Sequence, residues 1–271
     1  MIGTRFYLGT PPTWIKYTSV PLFVSNRPLS KRNTLHRSRG PVAIDSGGFS
    51  ELDAHGTWDN GPTPRQYVAQ VTRYTAEIGI DWAAPQDWMC EPWIVAKTGL
   101  SVAEHQARTV GNYLDLKSID PAVPVIPVLQ GWTPAEYEHC IALYDRAGID
   151  LRAQPLVGIG SVCRRQGAEE AAALVERIAG HGIRLHGFGF KIAGLRRVAH
   201  LLPSADSMAW SAAGRREPAG CTFRFPGSRG PHKNEANCLR YAELWRQRVL
   251  AAIATGVSTP RQLTLDFDTA A

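Results

Sequence analysis

Six short apolar runs in this chain end in, or carry, residues able to do chemistry, and three of those residues are aspartates. Asp45 closes one run and leads into Ser46, Gly47, Gly48 and Phe49. Asp87 follows another, in the stretch Pro85-Gln86-Asp87-Trp88-Met89-Cys90-Glu91-Pro92. Gln130, Gly131 and Trp132 end a third; Gly158-Ile159-Gly160-Ser161 and His186-Gly187-Phe188-Gly189 end two more; Asp206 lies within Ser204-Ala205-Asp206-Ser207-Met208-Ala209-Trp210. An acid inside an apolar strand is expensive to bury unless it is paired, so Asp206 either serves a site or meets a cation. Asp45 before Ser-Gly-Gly suits a turn or helix cap as well as a site acid. Gly158 and Gly160 suit either tight turns or points where a ligand nears the backbone.

The elements that must carry these residues alternate. Strand candidates at 6–9, 21–25, 42–46, 81–85, 125–130, 155–160, 185–190 and 204–210 are separated by helical patterns near 64–78, 101–117, 134–147, 167–181 and 191–201, with a last helix at 235–254. Thr63-Pro64, Ser101 and Thr133-Pro134 are helix-start signals. Repeated βα units imply a parallel sheet, and about 250 residues fit one α/β domain, a (β/α)8 TIM-like barrel over 1–271 whose polar groups gather at the C-terminal strand ends. The first two strands could instead be an opening hairpin, and a doubly wound sheet would alternate similarly. The Gly/Pro-rich stretch 211–232 reads as a long loop, and 211–254 as a C-terminal loop and helix.

Hydrophobic residues make up 44% and charged residues 20%, an ordinary globular balance that excludes a disordered chain. No apolar run is long enough to span a bilayer and the N-terminus lacks a signal-peptide pattern, so the expectation is a cytoplasmic protein with no membrane role. Cys90, Cys140, Cys163, Cys221 and Cys238 are scattered and odd in number, which argues for thiols over a disulfide scaffold. The formal charge is +6. Much of it lies in 25–40, where Arg27, Lys31, Arg32, Arg37 and Arg39 occur without an acid, and in 211–250, where eight Lys/Arg face three Glu. Such runs suit phosphate contacts, and equally a solvated face.

In order along the chain, Asp-Ser-Gly-Gly-Phe, an Asp after the next strand, Gln-Gly, Gly-x-Gly, Gly-Phe-Gly and Ala-Asp-Ser-Met resemble the tRNA-guanine (queuine) transglycosylase superfamily, from about Phe6 to Tyr241. The stretch 84–92 looks most like the short queuine tRNA-ribosyltransferase-like and 7-deazaguanine DNA-modification (DpdA-type) proteins of actinobacteria and phages. The resemblance implies a pentosyltransferase that replaces guanine in a nucleic acid, DNA in preference to tRNA, with a 7-deazaguanine such as preQ0. It makes Asp206 the nucleophile and Asp45 the acid–base partner. It puts the base against Asp87 and Gln130, with backbone at Gly158 and Gly160, and gives Ser46, Gly47, Gly48, Phe49, Gly131, His186 and Gly187 to the substrate. Exchange with retention needs two displacements and a carboxylate to hold the sugar between them. The target base must be unpaired or flipped out, and Phe49, Trp88 or Trp132 could stack on it or pack in the core.

Family members carry a zinc site built from Cys-x-Cys-x2-Cys and a later His. Here only Cys221, His232 and Cys238 remain, with Glu235 where a thiolate is wanted, so a structural Zn2+ on these four is one reading and a lost site the other. No organic cofactor is implied. A partner protein or homodimer fits the superfamily. Two further readings compete with base exchange: a glycoside hydrolase that releases a modified purine, and a catalytically silent nucleic-acid-binding subunit.

Overall fold

The computed structural model describes residues 3–162, 168–190, 192–218, 220 and 233–256. Eight parallel strands form one sheet: β1 (Arg5–Thr10), β2 (Leu22–Ser25), β3 (Val42–Asp45), β4 (Trp82–Ala83), β5 (Val128–Leu129), β6 (Val157–Ile159), β7 (Leu185–Gly187) and β8 (Ser204–Ser207). The order is β4-β3-β2-β1-β8-β7-β6-β5. β1 pairs with β8 as well as with β2, and a parallel bridge between Ala83 and Val125 joins the two edges of the sheet. This α/β sheet thus curls in the TIM-like manner, and the doubly wound alternative is excluded by the β1–β8 pairing. The opening-hairpin alternative is excluded too, because Leu8 pairs with Leu22 in a parallel register.

Several strands are shorter than their apolar runs. Pro127 cannot donate to a ladder, so 125–130 yields an isolated bridge at Val125 and a two-residue β5. The run 204–210 stops at Ser207, after which α9 (Ala209–Gly214) turns Trp210 inward to donate to Gly9 O at 2.8 Å and to lie 5.1 Å from the Trp14 ring. Part of the stretch read as a loop from 211 is therefore helix. The sequence patterns also missed α1 (Asn26–Leu29), α2 (Gly48–His55) and α4 (Pro92–Thr98), which lie at the strand ends.

The long helices α3 (Pro64–Glu77), α5 (Val102–Ile119) and α6 (Pro134–Arg146) begin at capping boxes, with Thr63, Ser101 and Thr133 each accepting from the backbone three residues on. α7 (Ala168–Ala179), α8 (Ile192–Val198) and α10 (Leu239–Gly256) complete the outer layer. Between helices and sheet lies the main core, with Phe6, Leu8, Val24, Ile44, Leu129, Ile159 and Leu185 fully buried. Inside the curl, Tyr7, Phe23, Ala43, Trp82 and Ile126 form a separate cluster. Phe23, Ala43 and Trp82 are successive register partners, so side chains alternate between the two cores with period two.

Tyrosines pin the strands from the helix layer. Tyr67 donates to Ala84 O and Tyr137 to Gly160 O, both at 2.6 Å, and the Tyr144 hydroxyl lies 3.1 Å from both Val128 N and Val128 O. Each buried phenol gains a partner where regular pairing runs out. Truncating Ile44 to Ala should cost about 2–5 kcal/mol in urea unfolding with an unchanged slope, whereas Leu244→Ala on the exposed face of α10 should stay within about 0.5 kcal/mol.

Candidate active site

The sequence-predicted residues come together where β3, β5, β6, β7 and β8 end. Asp206 on β8 is 6% exposed. Its Oδ1 accepts from Gly189 N–H at 2.9 Å and lies 3.3 Å from His186 Nε2. His186 is fully buried, and its Nδ1 is 2.8 Å from Ser204 Oγ. With the serine hydroxyl donating to Nδ1, the imidazole N–H at Nε2 donates to Asp206. Four aromatic rings, of Tyr7, Phe23, Trp82 and Phe188, surround the imidazole at 4.6–6.0 Å. His186 therefore sits behind Asp206 as its orienting partner, and Gly187 faces Phe190, where an added Cβ would lie 2.8 Å from the ring. Asp206 Oδ2 makes no hydrogen bond among the described residues.

Asp45 ends β3, in register with Ser25 on β2. Its Oδ1 accepts from Gly47 N–H at 3.0 Å. Gly47 has φ of 86° and caps α2, a left-handed conformation that glycine adopts at little cost. Enclosure raises the Asp45 carboxyl to about 6, and the Asp206 charge pushes the same way, while the Gly47 N–H and the Ser25 side chain pull it back. Ser46 is buried, and its hydroxyl has no hydrogen-bond partner among the described residues, as is also true of Thr10 at the end of β1. A buried hydroxyl without a partner costs free energy that a bound polar group can recover. Phe49 is half-buried against Leu52, Trp88, Met89 and Ile94.

Asp87 and Gln130 are in direct contact: Gln130 Nε2 donates to Asp87 Oδ2 at 2.6 Å. Burial raises the Asp87 carboxyl to about 7; the Asp45 and Glu91 charges add to the rise and the Gln130 amide opposes it. Gly48 comes up against Asp87, with an added Cβ 3.1 Å from Oδ1. At Gly160 an added Cβ would fall 2.3 Å from Gln130 Nε2, and at Gly158 it would fall 2.3 Å from the Phe188 ring, so neither position has room for a side chain. Gly131 adjoins Tyr137, and Glu136 Oε2 accepts from Trp132 N at 2.7 Å, fixing the turn after Gln130. Trp88 packs on His105 and under the Arg108 guanidinium, and Trp132 meets Trp93 edge-on, so both have protein neighbours.

Sequence reasoning did not single out Ser25, Trp58, Ser161 or Glu91. Trp58 donates to Asp87 O at 3.1 Å, and Ser161 links Gln130 to Glu91. Ser161 and Glu91 stand inside quoted stretches, but nothing in one dimension says that they meet. Of the basic run, Arg27 pairs with Glu51 at 3.1 Å beside Gly47, and Arg37 donates to Ala76 O, while Lys31, Arg32 and Arg39 are exposed.

Of the four zinc candidates, Cys221 and His232 lie outside the described residues. Glu235 and Cys238 are both buried; Glu235 accepts from Gly220 N–H at 2.6 Å and lies 3.8 Å from Arg240. Among the described residues no three His, Cys, Asp or Glu side chains form a metal cluster. Nor is any described helix long and apolar enough to cross a membrane.

Asp45 and Asp87 hold protons more tightly folded than unfolded. The folded state therefore binds more protons between about pH 4 and pH 7, and stability is lost as pH rises through that window. Asp87→Asn, which keeps an acceptor for Gln130, should remove on the order of 2–4 kcal/mol of that decline in urea titrations at pH 5 and pH 8. An unchanged decline would exclude Asp87 as its source.

Residues 2–269 match the family DpdA, DeoxyPurine in DNA protein A. A search of curated proteins gave no match. With nearly its whole length matched and its carboxylates gathered at the ends of a curled parallel sheet, the chain belongs to the DpdA family, a transglycosylase-like family of 7-deazaguanine DNA modification.

Proposed function

We propose that this protein exchanges guanine in DNA for a 7-deazaguanine such as preQ0, through a covalent bond between Asp206 and the target sugar. The observation that carries the reading is the asymmetry of Asp206: one oxygen is held by Gly189 N–H and His186, and the other is left to attack. Oδ2 bonds to C1′ as the C1′–N9 bond breaks, and the electron pair leaves with the purine. Asp45, with a carboxyl near 6, supplies the proton that the leaving base needs. An incoming 7-deazaguanine returns a proton to Asp45, bonds to C1′ and releases Asp206, so two inversions give retention.

Asp87 accepts from the N1–H and N2–H2 edge of the base, and the Gln130 amide donates to O6. The unpartnered hydroxyls of Ser46 and Thr10 suit sugar or phosphate oxygens. A purine stacked in a duplex cannot reach this mouth, so the nucleotide must be flipped or single-stranded. The exposed Lys31 and Arg32, on the connection that leaves the C-terminal end of β2, are the cations for the flanking backbone.

Incubation with labelled guanine and single-stranded DNA, duplex DNA or tRNA tests the reading. Label should enter DNA; release of free base without incorporation would favour the hydrolase, and label in tRNA alone would move the substrate to RNA. Asp206→Asn should lower exchange by about 10³-fold or more while free-base affinity stays within about threefold. A near wild-type rate would sink the nucleophile. A zinc ion on Cys221, His232, Glu235 and Cys238 is a separate proposal: one zinc per chain, lost in Cys238→Ala, supports it, and zinc-free protein purified without chelators rejects it.

A further inference from the structure

Arg27 is the first cation after β2, and its side chain is built against the turn that carries Asp45. A Cβ added to Gly47 would lie 2.7 Å from Arg27 Cγ and 2.9 Å from Cδ, so the arginine stem rests on the glycine whose N–H holds Asp45. The guanidinium reaches on to α2, where its Nε lies 3.1 Å from Glu51 Oε1. Glu51 is 6% exposed, and its Oε2 has no hydrogen-bond partner among the described residues. A carboxylate buried in that way needs a cation, so the Arg27 head is drawn to one place.

The ion pair engages one side of the guanidinium. Arginine is a planar fork with five N–H groups, and the edge formed by Nη1 and Nη2 matches two oxygens of a phosphate. The Arg27 side chain is 40% exposed, and its Nη1 and Nη2 have no partner among the described residues. Ser46, next to Gly47 in the same turn, is 2% exposed, and its hydroxyl is likewise without a partner among the described residues. An oriented cationic fork and an unused hydroxyl thus adjoin one glycine at the end of β3.

When Asp45 protonates the base and Asp206 takes the sugar, the group next outward along a DNA strand is a phosphate. We infer that Arg27 binds a phosphate flanking the target nucleotide, with the Nη1 and Nη2 edge donating to two phosphate oxygens while Nε stays beside Glu51. The fork is oriented before DNA arrives, so less side-chain entropy is lost on binding than at an unrestrained surface cation. Because Arg27 and Asp45 share the Gly47 turn, a phosphate held there also fixes the sugar relative to the acid. The inference rests on the proposed action on DNA.

The test measures affinities of the purified full-length protein for single-stranded oligonucleotides with one guanine, in which the phosphate on its 5′ or its 3′ side is replaced by a neutral methylphosphonate. The wild type should lose about tenfold or more at one of the two positions, the scale of one charge-assisted hydrogen bond. Arg27→Gln should bind the unmodified strand about tenfold more weakly and lose less than about twofold further at that position. Its affinity for free guanine, which has no phosphate, should stay within about threefold. The double variant Arg27→Gln with Glu51→Gln removes both charges together and serves where Arg27→Gln fails to fold. It should be as insensitive to the replacement as Arg27→Gln. If Arg27 only neutralises Glu51, the double variant will regain wild-type affinity and sensitivity, and the inference is overturned. A wild type indifferent at both positions, or variants as sensitive as the wild type, would overturn it as well. Phosphate sensitivity of the expected kind without incorporation of guanine would support Arg27 while overturning base exchange. A wild type that binds no DNA would overturn the DNA reading, and this inference with it.

Discussion

Enclosed negative charge is the constraint on which this structure turns. Asp45, Asp87 and Asp206 crowd the end of one sheet, and among the described residues none of them pairs with a lysine or arginine. What holds them is a set of neutral donors: Gly47 N–H for Asp45, the Gln130 amide for Asp87, Gly189 N–H and His186 for Asp206. Neutral donors stabilise a carboxylate less than a cation would, so burial wins at Asp45 and Asp87 and their protons are retained to about 6 and 7. Asp45 and Asp87 therefore titrate where proton transfer at neutral pH is useful.

Everything beneath the mouth serves to keep that arrangement rigid. The aromatic cage about His186 gives the imidazole no room to turn, and so fixes the oxygen of Asp206 that it meets. Tyrosines from α3 and α6 tie down the strand ends at Ala84 and Gly160, in the stretches that carry Asp87 and Ser161. The short helices α2 and α4 lack the length to stand alone and are held by a local cluster of Leu52, Trp88, Met89 and Ile94. Their job is to bring Gly48 and Glu91 against Asp87 and Ser161.

Membership of a DNA-modification family accords with the charge distribution. The strand ends carry three acids, while exposed cations at Lys31, Arg32 and Arg39 lie on the connection between β2 and β3. Among the described residues these acids make no ion pair with those cations, so neither set is neutralised by the other.

Local pattern determined much of this protein. All eight strands, the capped helices at Thr63, Ser101 and Thr133, and the polar residues at the strand ends were legible, because hydrophobic periodicity and capping depend on neighbours within a few positions. Strand ends were less legible at 125–130 and 204–210, where Pro127 and the inward turn of Trp210 override apolar composition. Only the tertiary structure decided that β1 pairs with β8, that His186 stands behind Asp206, and that Ser161 joins Glu91 to Gln130. Those contacts span from 20 to about 200 positions of sequence. They depend on how a parallel sheet curls, and sheet closure is a property of all the strands at once, so no single stretch of residues encodes it.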